Sequence, residues 1–301
     1  MKPTIIPSLL LLTLACTLLA SLARAQSESG FYRPLTLAPA DTPSSGGVGA
    51  GDEKAQQAEL AKKVQNPVAD LTIVPIQNNW DFGIGAANAM RYTANIQPVI
   101  PFSLNQDWNV ITRTILPVIY AEATDKNPLA PASARENHSG LGDILQSFFF
   151  SPKKPVGGWI LGAGPALLYP SATDSALGSG KWGGGPTVVA LQQKNGWSYG
   201  VLANHLWSYA GWGDQEVNAT FLQPFVFYTT KTFASFAVNT ESTYDWQAHQ
   251  WSVPLNFMVN QMLMVGQQPI QLQLGYRYYA EGPSGGPEWG LRFAVIFLLP
   301  K

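Results

Sequence analysis

Charge is the first thing this 301-residue chain is short of. Only 12 % of its residues are Asp, Glu, Lys or Arg, about half the roughly 25 % usual for soluble domains. A surface wetted everywhere by water is hard to build from so few charges, whereas a surface facing lipid needs few. The charges also balance, 18 basic against 19 acidic, so no basic stripe attracts nucleic acid and none is expected as a partner. Cysteine is nearly missing: the single one, Cys16, lies in an apolar run at the start of the chain, so disulfides are not expected to stabilise the exported protein. Three histidines, His138, His205 and His249, leave little from which to build a transition-metal centre, and no metal or cofactor is expected. After its first segment the chain has no apolar run near the ~20 residues of a membrane helix. Even the charge-free stretch from Gln247 to Tyr276 holds too many Asn and Gln to be one.

What is present begins with an export signature. Lys2 supplies a positive start, Ile5 to Leu22 an apolar run, and Ala23-Arg24-Ala25 a small-x-small cleavage site, so residues 1–25 read as a signal peptide removed before Gln26. Leu14-Ala15-Cys16 also offers a lipoprotein reading, which Thr13 and the apolar residues continuing past Cys16 disfavour. Residues 26–65 read as a periplasmic leader. Its first part, 26–51, is rich in Ser, Gly, Pro and Ala and reads as flexible. From Asp52 to Val64 acids come first and lysines last among strong helix formers, which predicts one short helix. That helix is read as solvated in preference to being tucked into a pore as a plug.

From residue 66 the texture becomes β. The final stretch, Trp289 to Leu299, puts Trp289, Leu291, Phe293, Val295, Phe297 and Leu299 on one face at period two, with Gly290, Arg292 and Ala294 beginning the other. It has the length of a tilted membrane-spanning strand and half that of a membrane helix. If lipid covers its apolar row, the sheet must close on itself, because an open edge in hydrocarbon leaves backbone groups unbonded. Strand candidates fall at 71–80, 90–102, 108–120, 141–150, 159–169, 182–192, 197–207, 217–228, 232–244, 249–259, 269–279 and 289–299. The fold class predicted is all-β: a closed antiparallel transmembrane β-barrel of about 12 strands spanning 66–301. Alternate connections are short and long, as in such barrels, and Trp and Tyr gather near strand ends like interfacial belts.

Two strands alternate well. Tyr92, Ala94, Ile96, Ile100 and Phe102 oppose Arg91, Thr93, Asn95 and Gln97; Ile270, Leu272, Leu274, Tyr276 and Tyr278 oppose Gln271, Gln273, Gly275 and Arg277. With apolar side chains facing lipid, the candidate lumen residues are Arg91, Asn95, Gln97, Arg113, Asn239, Glu241, Gln271, Gln273, Arg277 and Arg292. Arginine in a lumen can pair with glutamate across it and narrow the passage, or bind a solute's carboxylate or phenolate. Segments 108–120 and 217–228 are apolar on both faces, and their inner side stays open. Pro98, Pro117, Pro165, Pro186, Pro224 and Pro254 fall in or near strands, where proline belongs at edges, bulges or rims. They favour a soluble β-sandwich as the alternative fold.

A search for catalytic groups finds His205-Leu206-Trp207-Ser208 and His249-Gln250-Trp251-Ser252. Residues three apart on a regular strand point to opposite faces, so neither is a nucleophile with its base. Asp143 reads equally as an inward carboxylate or a turn residue.

Several blocks resemble one outer-membrane family: Asn66-Pro67-Val68-Ala69-Asp70-Leu71, Gln97-Pro98-Val99-Ile100-Pro101-Phe102, Gly140-Leu141-Gly142-Asp143 to Ser151-Pro152-Lys153-Lys154-Pro155, Gly178-Ser179-Gly180-Lys181-Trp182 and Asn239-Thr240-Glu241-Ser242. The family is that named for the meta-pathway of phenol degradation, and the resemblance spans about 66 to 301. It implies a barrel in the outer membrane of a Gram-negative cell that passes small, possibly aromatic, solutes, with no catalytic residues. Outer-membrane barrels commonly finish on an aromatic residue, whereas here Phe297 is followed by Leu-Leu-Pro-Lys. The expected partners are outer-membrane lipid, the barrel assembly machinery and a small-molecule solute. The alternatives are a non-conducting structural or adhesion barrel, or an outer-membrane acyl-chain hydrolase.

Overall fold

A computed structural model describes residues 59–124, 136–214, 216–266 and 268–299. The signal peptide, its cleavage site, the leader to residue 51 and the first residues of the predicted helix lie outside the described residues.

Fifteen strands form one antiparallel sheet: β1 (Thr72–Ile84), β2 (Ala89–Ile96), β3 (Val99–Ser103), β4 (Trp108–Thr124), β5 (Glu136–Leu141), β6 (Ile144–Pro152), β7 (Ile160–Tyr169), β8 (Lys181–Lys194), β9 (Trp197–Gly211), β10 (Asn218–Thr229), β11 (Ala234–Thr240), β12 (Ser242–Asp245), β13 (Gln250–Val265), β14 (Gln268–Glu281) and β15 (Trp289–Leu299). Three pairs, β2/β3, β5/β6 and β11/β12, are single staves interrupted at Gln97-Pro98, Gly142-Asp143 and Glu241, which leaves twelve staves. Each stave pairs with its sequence neighbours, and β1 pairs β15 from Thr72↔Leu299 to Phe82↔Trp289. The ring is therefore closed and has no edge to protect.

At one end, hereafter the turn end, the staves are joined by 104–107, 153–159, 195–196, 230–233 and 266–267. Asn195 and Gly196 both have positive φ, 53° and 82°, the pairing that a two-residue hairpin turn requires. The other end, the loop end, carries 85–88, 170–180, 212–214, 246–249 and 282–288, and there β4 ends and β5 begins.

Outward faces are apolar and exposed, with Ile96, Phe102, Val188, Val226, Phe257 and Phe297 among them, and Trp108, Trp159, Trp182, Trp197, Trp207 and Trp246 standing at stave ends. The outward Asn78 is satisfied locally: the Tyr92 hydroxyl donates to its Oδ1 at 2.7 Å, and its Nδ2 donates to the Phe293 carbonyl at 3.2 Å.

The prolines take several positions. Pro98 marks a stave interruption and Pro254 a register shift against β14, but Pro165 and Pro186 face each other across β7 and β8. Pro117 and Pro224 pair without a break to Asn95 and Val201 on one side, but on the other Pro117 faces the Gly142-Asp143 interruption, where its carbonyl accepts from Gly142 N at 2.9 Å, and Pro224 faces the interruption at Glu241. Between β7 and β8 a closed ring thus tolerates proline away from bulges too, where one ladder bond is forgone.

The turn-end half of the interior is an apolar core. Val99, Ile111, Phe149, Val189, Leu191, Leu202, Phe225, Met262, Ile296 and Leu298 come from staves all around the ring and form one buried cluster with Leu60, Ala61, Val68, Ala69 and Leu71. Only a segment lying inside the barrel can touch all of them. The short helix, residues 59–63 among those described, is therefore not solvated as the sequence reading preferred. Leu60 and Ala61 are buried in the lumen because the inward side chains at this level are apolar and must be covered. The plug is also held by polar contacts: Gln65 Nε2 donates to Thr229 Oγ1 at 2.6 Å, and Gln193 Nε2 to the Lys62 carbonyl at 2.9 Å.

Candidate functional site

Above the plug the inward positions turn polar. The interruption at Glu241 places its carboxylate opposite Arg292 of β15, which grips it through Nη1–Oε1 at 2.9 Å and Nη2–Oε2 at 2.7 Å. Such two-pronged pairing is the strongest form of charged hydrogen bond. Arg292 Nε donates to Asn79 Oδ1 at 2.7 Å, so its fork is fixed from both sides. Arg277, two positions along β14 from Gly275, stands 3.9 Å from the same Glu241 and 3.5 Å from Asp81. It also donates to the Tyr279 hydroxyl at 3.1 Å, and that hydroxyl donates to Asp81 at 3.0 Å. Arg292, Arg277 and Asp81 are all buried, so each charge depends on its partners.

Amides line the neighbouring staves. Asn256 Nδ2 donates to Asn239 Oδ1 at 2.7 Å, Gln273 Nε2 to Asn260 Oδ1 at 2.7 Å, and Asn260 Nδ2 to Ser235 Oγ at 3.2 Å. These bonds satisfy polar groups that water does not reach.

Between this wall and the opposite staves lies a cavity of about 260 Å³, lined by Gln77, Asn95, Gln97, Arg113, Ile115, Phe221, Gln223, Phe227, Asn239, Glu241, Met258, Gln273 and Arg292. Seven of the ten residues picked from the sequence thus meet in one place. Arg277 stands beside them, bound to the same Glu241. Gln271 is buried and pairs with Ile296, whose side chain belongs to the plug core, so it sits at plug level. Arg91 lies nearer the loop end, opposite Asp81 in the β1–β2 register.

Sequence reading missed Gln77, Asn79 and Asp81, whose period-two spacing on β1 was obscured by the outward Asn78 between them. It also misses Phe221, Phe227 and Ile115, from the two segments whose apolar pattern does not distinguish an inner side. Those segments are apolar on both faces because one face meets lipid and the other lines the cavity or covers the plug.

At the loop end, segment 170–180 folds across the mouth, where Leu177 buries against Ile119 and Ala121. Asp143 fastens it, accepting from Ala172 N at 3.2 Å, Ser179 N at 2.6 Å and Ser179 Oγ at 2.7 Å, so its role is that of a turn anchor. His138 Nδ1 and Asp174 Oδ2, 2.8 Å apart, add a second tie. Outside it opens a vestibule of about 1030 Å³ whose lining includes Glu136, Asp174, Asp214, Glu216 and Asp245. Glu216 sits below the ordinary carboxylate value of 4.5 because Lys181 and Ser208 hydrogen-bond it.

The two His-x-Trp-Ser segments build no catalytic pair. His205 Nδ1 shares a 2.7 Å hydrogen bond with Thr220 Oγ1, while Ser208 donates to Glu216. His249 occupies an exposed turn with φ 52°, and Ser252 pairs Thr243.

No family model matches the chain, and no curated protein does. Solved structures do resemble it. An outer membrane channel from Pseudomonas putida F1 superposes with a TM-score of 0.59 at 16 % identity, covering 76 % of this chain and 96 % of that one. The NanC porin follows at 0.47 and 13 %, covering 75 % and 100 %. Outer membrane phospholipase A from Escherichia coli reaches 0.44 and 10 %, covering 79 % and 97 %. At such identities the first likeness bears on fold alone. The chain has the fold of an outer-membrane β-barrel.

Proposed function

We propose that this chain is an outer-membrane channel through which small organic solutes cross by way of the lumen, and that residues 59–71 are a plug closing its turn end. One observation carries the reading. Above the plug the interior holds a charge-bearing cavity rather than a packed core, while the exterior is apolar. In this reading the turn end faces the periplasm, as short turns do in such barrels. Residues 1–25 are the signal peptide, cleaved after Ala25, and the barrel assembly machinery inserts the remainder. The blocks shared with the family of the meta-pathway of phenol degradation support aromatic solutes as cargo, and the ten lumen residues named from the sequence as the lining they pass. Among the described residues no serine pairs with a histidine in support of the hydrolase alternative.

The test is planar-bilayer recording of the purified chain beside a Val68→Asp variant, with solute uptake into liposomes. Conductance steps that grow when the plug is loosened are expected. Silence from both proteins together with no uptake would leave the structural or adhesion barrel.

A further inference from the structure

Four guanidiniums, those of Arg91, Arg113, Arg277 and Arg292, face the interior between plug and mouth, against the carboxylates of Asp81 and Glu241. The carboxylates are already committed. Glu241 is held two-pronged by Arg292 and approached by Arg277, and Asp81 is taken by Arg277 and Tyr279. Arg113 is left on the cavity wall with Gln97 Oε1 as its hydrogen-bonding partner, at 2.9 Å, and no carboxylate within 4 Å among the described residues. A neutral amide oxygen satisfies one donor of a group that has five. A guanidinium away from bulk water attracts an anion strongly, because the local dielectric is low.

The cavity beside it is not uniformly polar. Asn95 and Gln97 come from the stave beside Arg113 and Asn239 from the wall across the cavity, whereas Ile115, Phe221, Phe227 and Met258 supply apolar surface. Its volume of about 260 Å³ lies below the roughly 300–1,000 Å³ of typical small-molecule sites, which excludes bulky or extended ligands.

We propose that this cavity is a binding site for one compact organic monoanion, a carboxylate on an apolar body, with Arg113 as its anchor. The proposal rests on the channel reading for its biological meaning and not for its physics. Arg277 and Arg292 are already neutralised and hold the wall; Arg113 takes the ligand's charge through the donors not engaged by Gln97, the amides orient the head, and the phenylalanines cover the ring or chain. The acidic vestibule slows anion entry without altering affinity at the anchor.

Equilibrium dialysis of the detergent-folded full chain tests this, with benzoate and its neutral isostere benzamide as probes. One saturable benzoate site is expected, about tenfold or more tighter than for benzamide. Arg113→Gln should abolish that preference, Arg113→Lys should weaken binding yet keep it, and Lys194→Gln, which removes a positive charge at the turn end, should leave it within about twofold. Heat-modifiable migration establishes that each variant has folded, and the lysine variant carries the test if the glutamine one has not. Benzoate bound no better than benzamide, or a preference indifferent to Arg113, overturns the proposal even if the barrel conducts. Benzoate bound as expected by a barrel that never conducts sustains the site and removes the channel.

Discussion

The two halves of the lumen are built from the same staves and solve opposite problems. In the turn-end half, most inward side chains are apolar, and a segment of the chain itself lies among them to exclude water. In the half above, most inward side chains are polar or charged, and they satisfy one another across the barrel while leaving a cavity. The lower half is stabilised by burial, which is non-directional and tolerates change of shape. The upper half depends on pairing, which fails abruptly when one partner is lost.

The sharpest way to break this contrast is to remove one partner in the upper half. Glu241→Leu leaves Arg292 buried and uncompensated and should cost about 3–5 kcal/mol, read as a lower urea midpoint for loss of the heat-modifiable form. A Glu241→Leu/Arg292→Met double variant should recover most of that loss. If it does not, the pair is not the unit of stability.

Val68→Asp is the counterpart in the lower half. A Cβ on Gly162 would meet Val68 Cγ1 at 3.1 Å, so Val68 sits directly on the β7 backbone, and a carboxylate there has no partner. The expected outcome is a plug that leaves and a barrel that stays, because no stave ladder passes through residues 59–71. Protease cutting at Lys62 or Lys63 should rise while heat-modifiability persists; loss of the folded form instead would make the plug integral to the barrel.

A milder probe fixes the plug rather than expelling it. Gln65→Cys with Thr229→Cys joins positions now linked by a 2.6 Å hydrogen bond. Oxidation should reduce conductance and a reductant restore it; conductance indifferent to both would place the solute path elsewhere.

The smallest effect lies at the rim, where neither half governs. Glu216 is held below its ordinary 4.5 by Lys181 and Ser208. A depressed carboxylate contributes above its unfolded value, and that contribution is lost as pH falls below it through the folded value. Ser208 Oγ accepts from Val217 N at 2.9 Å, so the intrinsic-rate-corrected protection of that amide should drop below about pH 4 while the barrel persists. Unchanged protection would mean the loop is held by its backbone alone.

Much of the barrel is legible in the chain before folding, for a simple reason. Where one face meets lipid and the other is polar, as at Gln271, Gln273 and Arg277 or at Arg91, Asn95 and Gln97, the period of two is written in residue type. It fails where both faces are apolar, as at Phe221, Phe225 and Phe227, since a plug-facing phenylalanine and a lipid-facing one look alike. The helix predicted over Asp52 to Val64 reads as solvated on the same ground: its charges suit water, and the apolar socket that takes Leu60 and Ala61 comes from staves scattered through the sequence.

The sequence alone determined the closed ring, the twelve staves and the residue types available to the lumen, because backbone hydrogen bonding in lipid permits few other answers. Only the tertiary structure decided that the turn end is filled, that Glu241 belongs to Arg292, and that Arg113 has no carboxylate within 4 Å among the described residues. Those are matters of which side chains from distant staves arrive at the same height, and no local pattern records that.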